Sequence, residues 1–201
     1  VLEGIPARLF RISFSGELAY EIAVPRRYAD FFVKKISEIG KKYSLVPYGT
    51  EALGVMRIEK GHAAGNELNG QTTAHNLGLG KMVSKLNDCV GNTMSERDEL
   101  NKDDALKLVG FIPTNKKQQL VAGSHFIEKG QIANLENDQG WMSSVAFSPM
   151  LNHSIGLGYI KRGNQRYGEK VNAVNPLKNE ITEVEIHSPH FYDPEGELLR
   201  G

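Results

Sequence analysis

Apolar and polar positions alternate first at period two and then at helical period along the N-terminal half of the chain. Leu18, Tyr20, Ile22 and Val24 fall on one side of an alternating run, the signature of a half-buried strand. Arg11–Ser15 precedes it, and a turn at Ser15-Gly16 joins the two into a predicted hairpin. The period then lengthens. Tyr28, Phe31, Phe32, Ile36 and Ile39 recur at helical spacing from about Arg26 to Ile39, with Gly40 as a natural stop. Pro47-Tyr48-Gly49 breaks the chain. Thr50 is read as the N-cap of a second helix with Glu51 in its first turn; this helix carries Leu53, Met56 and Ile58 and ends at Gly61. Residues 61–80 read as a loop rich in Gly, Asn and Thr, Leu79–Val83 as the start of a strand, and Thr93–Leu100 as a short helix.

Beyond the charged stretch Glu96–Asp104 the pattern becomes almost wholly strand-like. Candidate strands are Leu106–Ile112, Gln118–Val121, His125–Ile127, Gln131–Leu135, Trp141–Phe147, Ser154–Ile160, Lys170–Val174 and Ile181–Ile186. Short strands at such spacing, with Gly, Asn or Pro between them, predict a small all-β barrel or sandwich. The fold class is therefore α+β, with a mixed, antiparallel α/β region over 1–100 and a β-domain over 101–201.

Composition narrows the functions. Lys plus Arg and Asp plus Glu are both 24, so the 201-residue chain has no net charge, which argues against nucleic acid as its main partner. A single cysteine, Cys89, excludes an internal disulfide framework and multi-Cys metal sites, and reads as a small buried hydrophobe. No apolar run is long enough to span a bilayer, and the opening VLEGIPARLF is not a signal peptide. The chain reads as a soluble, cytoplasmic piece cut from a longer polypeptide. Gly78-Leu-Gly80 lacks the third glycine of a dinucleotide fingerprint, and there is neither a phosphate loop nor a Gly-x-Ser-x-Gly elbow. His187 and His190 flank Pro189 and read as a solvated strand end rather than metal ligands.

Several segments together resemble one family. Arg11-Ile-Ser-Phe-Ser-Gly-Glu-Leu-Ala-Tyr-Glu-Ile22 is similar to the Ser/Thr-Gly-Glu-x-x-Tyr-Glu-Ile hairpin of the glycine-cleavage T-protein (aminomethyltransferase) superfamily. Arg57-Ile-Glu-Lys-Gly61 resembles its Arg-Leu-Glu-x-Gly helix end. Gly65-Asn-Glu-Leu68, Leu77-Gly-Leu-Gly80, Val90-Gly91, Ser143-Ser144, Ser148-Pro149 and Ser154-Ile-Gly-Leu-Gly-Tyr-Ile160 follow in the family's order. The chain departs from the pattern at Lys81, where an aromatic is usual, and at Cys89, where Phe is common. Ser13–Tyr20 and Phe191-Tyr-Asp-Pro-Glu-Gly196 resemble one branch in particular, the alpha subunits of heterotetrameric sarcosine oxidases.

The resemblance implies a partial folate-binding module followed by a C-terminal barrel, with tetrahydrofolate as the ligand. It implies that the folate captures, as 5,10-methylenetetrahydrofolate, the one-carbon unit released when sarcosine is oxidatively demethylated. FAD, FMN and NAD would be held elsewhere in the parent enzyme. The catalytic Asp of the family falls in a part this chain lacks, so no catalytic residue is assigned and the fragment alone is expected not to turn over. Partners would be the rest of the alpha subunit and the other oxidase subunits. A free-standing aminomethyltransferase or demethylase, and a purely structural docking module, remain alternatives.

Glu17 matches the family's pterin-binding Glu. A carboxylate accepts two parallel hydrogen bonds from the donor edge of a pterin, although a turn Glu can equally be a solvated charge. Tyr20 is either a core side chain with a bonded hydroxyl or a ligand contact. Arg57 either meets the carboxylate tail of folate with its guanidinium fork, supports the pocket, or pairs with a helix Glu. Glu21 and Glu59 read as structural, and Trp141 as a core or interface anchor.

Overall fold

The computed structural model describes residues 4–83 and 90–201; Cys89 lies outside them. Two short strands open the chain, β1 (Arg8–Phe10) and β2 (Glu21–Ala23), paired antiparallel with Arg8 opposite Ala23 and Phe10 opposite Glu21. The predicted hairpin therefore exists, but its first strand lies before Arg11, and residues 11–20 form the connection. Leu18 and Tyr20 fall in that connection, and Tyr20, Ile22 and their neighbours are exposed. Alternation buries a strand face only when a second layer covers it, and no described residue covers this one.

Helix α1 (Ala29–Gly40) follows a 3-10 turn at Arg26–Tyr28. The α-helix stops at Gly40 as expected, but without a left-handed cap at that residue. Gly40 keeps helical angles, a second 3-10 turn follows, and Ser44 takes the left-handed conformation (φ 57°). Gly40 is needed for contact, since a Cβ there would stand 2.4 Å from the Leu45 side chain. Helix α2 (Thr50–Lys60) begins one residue before the prediction, with Gly49 at the N-cap and Thr50 already helical. Its end is as expected. Gly61 (φ 78°) donates to Ile58 O and His62 donates to Arg57 O, a Schellman closure that the left-handed glycine permits. Residues 61–79 are loop, and Gly80–Met82 is a 3-10 turn rather than a strand. A short α3 (Asn92–Ser95) and the 3-10 turn Asp98–Leu100 occupy the predicted Thr93–Leu100 helix.

Six strands then close into an antiparallel barrel: β3 (Leu106–Pro113), β4 (His125–Ile127), β5 (Asp138–Ser148), β6 (His153–Lys161), β7 (Lys170–Asn175) and β8 (Glu180–His187). The order around the wall is β3-β6-β5-β4-β7-β8, with β8 returning to β3. Val109, Phe111, Phe126, Met142, Val171, Val184 and Ile186 fill the interior, and the Phe111 and Phe126 rings stack. β6 is buried along nearly its whole length because its outer residues Ile155, Leu157 and Tyr159 pack with Ile58 of α2. This double burial explains its apolar run.

Two of the strands predicted for the C-terminal domain are absent. Gln118–Val121 is a bend whose Leu120 is buried against the barrel core and whose Leu120 N–H donates to Ser154 Oγ. Gln131–Leu135 is an exposed loop. With the ladder closed, the barrel offers no free edge for either run to pair with. A short α4 (Glu197–Arg200) ends the chain.

Candidate functional site

The end of α2 and the following loop are fastened to the barrel through a buried polar junction. Glu67 has no exposed surface. Its Oε1 accepts from the hydroxyls of Ser143 (2.5 Å) and Ser144 (2.6 Å), and its Oε2 accepts from Arg57 Nη1 (2.9 Å) and from the Ala64 N–H (2.9 Å). Adjacent residues of a regular strand point to opposite faces. Ser143 and Ser144 reach the same carboxylate because β5 carries a bulge between Met142 and Ser144 in its pairing with β6. Burial pushes the Glu67 carboxyl up, but the two hydroxyls, the Ala64 N–H and Arg57 outweigh it and hold the group below its ordinary range. Tyr159 donates its hydroxyl to Glu67 O, and burial raises that phenol to about 12. Two residues beyond Arg57 on α2, Glu59 Oε1 accepts from the Ser148 hydroxyl (2.5 Å).

A cleft of about 700 Å³ opens beside this junction, between the loop, the barrel rim and residues 188–190. Phe14, His62, His75, Leu77, Tyr167 and His190 line it. His62 Nδ1 lies 3.1 Å from Phe14 O. Burial is the main reason that its ring is harder to protonate than an ordinary histidine, and the nearby Lys60 and His190 add to this. His190 Nδ1 contacts Lys60 O, and His187 stacks on Phe191. Among the described residues no cluster of His, Cys, Asp and Glu is arranged to hold a metal ion, and no helix is long and apolar enough to cross a membrane.

The three residues singled out in the sequence occupy different settings. Glu17 stands exposed at the turn, with no hydrogen-bond partner among the described residues. Its backbone is held on both sides: Gly16 N–H donates to Ser13 Oγ (3.0 Å) and Leu18 N–H donates to Leu198 O (2.9 Å). Tyr20 is exposed on the same connection rather than in a core. Arg57 is buried, and its guanidinium is taken up by Glu67, Ser144 Oγ (2.8 Å) and His62 O (3.3 Å). Its acidic partner is Glu67 across the loop, not a helix neighbour. The cleft is lined by neither Glu17, Tyr20 nor Arg57, though Phe14 of the same connection reaches it. Sequence reasoning missed Glu67 and His62. The signal for Glu67 was present in Ser143-Ser144, two consecutive hydroxyls in an otherwise apolar strand.

An antiparallel barrel with a helix end and a polar loop fastened to its outer wall defines the structural class, and the comparisons give the family. The GCVT N-terminal domain model matches residues 1–87 and the glycine cleavage T-protein C-terminal barrel domain model matches residues 107–193. The chain belongs to the glycine-cleavage T-protein superfamily. It is 45% identical over 192 residues to "Sarcosine oxidase subunit alpha" of Rhizobium meliloti (strain 1021), a match covering 95% of this chain and 20% of that protein. It is 30% identical over 196 residues to "Aminomethyltransferase" of Thermoanaerobacter pseudethanolicus, covering 95% of this chain and 50% of that protein. The fold is also that of glycine cleavage system aminomethyltransferase T from Bartonella henselae, with TM-score 0.77 at 21% identity over 94% of this chain and 50% of that one. The chain thus spans about one-fifth of its sarcosine oxidase relative and half of the aminomethyltransferases.

Proposed function

We propose that this chain is part of the folate-binding module of a sarcosine oxidase alpha subunit and that Glu17 holds the ligand. The observation that carries this reading is an exposed carboxylate on a turn whose flanking amides are both pinned. Such a group is free to accept two hydrogen bonds from the N–H edge of a pterin without first breaking a protein contact. The adjoining cleft, entered by Phe14 and walled by Leu77 and Tyr167, suits a flat ring system. Those residues exclude water from one side and hold the ring in one orientation, a proximity effect. When bound, a reduced folate supplies the nitrogen that takes up a one-carbon unit. Arg57 supports the loop that walls the cleft rather than gripping the ligand, since its guanidinium is engaged on three partners. Tyr20, exposed beside Glu17, is placed to extend the rim.

The relatives named above motivate the parent activity: oxidative demethylation of sarcosine, with flavin and nicotinamide sites in other parts of the polypeptide or in partner subunits, in the cytoplasm. Tetrahydrofolate titration of the full-length chain by calorimetry tests the module. Glu17→Gln should weaken binding about tenfold, the loss that accompanies removal of a charged acceptor. Unchanged affinity removes Glu17 from the site.

A second role rests on a separate observation. Leu9, Phe10, Val33, Tyr43 and Val46 are large apolar residues left in solvent. Since the aminomethyltransferases are about twice as long as this chain, we assign that face to the remaining part of the same polypeptide's module.

A further inference from the structure

The Phe191–Gly196 motif lies outside the proposed ligand contacts, yet it is wired to them. After β8 the chain crosses the end of α2: His190 Nδ1 meets Lys60 O (2.8 Å), and the N–H groups of Phe191 and Tyr192 both donate to Glu59 O (2.9 and 3.0 Å). Gly61 has no room for a side chain there, because a Cβ would stand 2.4 Å from Pro189 O. Lys60 then clamps the segment. Its Nζ donates to Asp193 O (2.5 Å) and to Asp193 Oδ2 (3.0 Å), with both side chains about nine-tenths buried. Asp193 adopts a left-handed conformation (φ 47°), which Asp tolerates better than most residues. Its carboxylate accepts from the N–H groups of Glu197 (2.9 Å) and Leu198 (3.2 Å), starting α4. Leu198 O in turn accepts from Leu18 N–H, the residue after Glu17, and Arg11 donates to Leu199 O and Arg200 O. The Lys60 stem also lies under Gly16, where a Cβ would stand 2.6 Å from Lys60 Cγ.

We infer that residues 191–201 form a strap, locked by the Lys60–Asp193 pair, that fixes the Glu17 turn for ligand binding. Lys60 and Asp193 are thus positioning residues. They act through Leu198 O and the packing of Gly16 on Lys60, and this inference rests on the reading of Glu17 above.

The experiment is a double-mutant cycle in the full-length chain, with Glu17→Gln and Lys60→Met, reading tetrahydrofolate affinity by calorimetry. Hydrogen exchange of the 11–20 segment is followed without ligand. The inference predicts that Lys60→Met alone weakens binding about tenfold and speeds exchange at Leu18. In the Glu17→Gln background it should cause no further loss, because the strap acts only through that carboxylate. Lys60→Arg should restore part of the affinity. Asp193→Asn, a smaller change, should give the same pattern and serves if Lys60→Met does not fold. If Glu17→Gln weakens binding while Lys60→Met and Asp193→Asn do not, the strap inference fails and the Glu17 reading stands. If Lys60→Met weakens binding equally in both backgrounds, the strap does not act through Glu17 and the inference is again overturned. If Glu17→Gln has no effect, the reading of Glu17 falls and takes the inference with it.

Discussion

The barrel and the region before it both carry many large apolar side chains, but treat them in opposite ways. Val109, Phe111, Phe126, Tyr159 and Val184 have no exposed surface, whereas Leu9, Val33, Tyr43 and Val46 are each more than half exposed. The barrel encloses its own core because all six strands, and the loop covering β6, lie within this chain. The β1-β2 hairpin and α1 present one apolar side each and find no second layer among the described residues. Pattern alone sets the period of an element. Burial depends on what is there to cover it.

Substitutions that exploit this difference give the largest effects first. Phe111→Ala should cost about 3–5 kcal/mol in urea unfolding of the chain, since it opens a cavity beside the stacked Phe126 ring. Arg57→Met should cost nearly as much, about 3–5 kcal/mol, because it strands the buried Glu67 carboxylate. A melt near wild type would mean that the junction contributes little to holding the two regions together. Gly158→Ala should cost about 1–3 kcal/mol through overpacking, as its Cβ would lie 2.6 Å from Trp141 O.

The acid response should come in two steps. His62 titrates below its ordinary 6.5, so its contribution is complete above pH 6.5 and is lost as pH falls through the lowered folded value. Glu67 is held below 4.5, so its contribution is intact above that pH and lost as pH falls through its lower folded value. Tm scans should therefore be flat from pH 6.5 to about 9, with His62→Gln removing only the first acid decline; above the ordinary phenol value of 10.0 stability should fall again, because Tyr159 is held neutral in the fold up to about 12. Smallest of all, Phe31→Ala on the exposed face of α1 should change the stability of this chain by no more than about 0.5 kcal/mol. In the full-length parent the same change should cost about 3 kcal/mol, the scale of a buried Phe. An equal, small cost in both contexts would show that the face stays in solvent.

Much of the barrel could be read from sequence. His125–Ile127 coincides with its strand, and five more strands lie within two or three residues of the expected ends. These strands pair with one another, so local pattern and tertiary outcome agree. Gln131–Leu135 has the right residue types but no edge to join. Tyr20 and Leu18 have the right alternation but no layer to meet. The C-terminal end of α2 was legible because a left-handed Gly61 is a local requirement; α1 also stops at Gly40 as expected, but the reason for glycine there is Leu45, a contact made after the helix has ended. Glu17 could be picked out only through its motif. Glu67 carried no signal of its own, since nothing near it in sequence announces that an acid will be met by two serines from 76 and 77 residues away; the only sign lay in its partners, the consecutive hydroxyls of Ser143 and Ser144.

The bulge in β5 makes that meeting a matter of counting. Deleting Ser143 would restore strict alternation, take one of the two hydroxyls from the acid, and leave a ladder able to close without interruption. An apparently tidier strand would then be a poorer anchor. In this protein the attachment of loop to wall depends on a single extra residue, so a length change there should be tolerated less readily than most replacements of type.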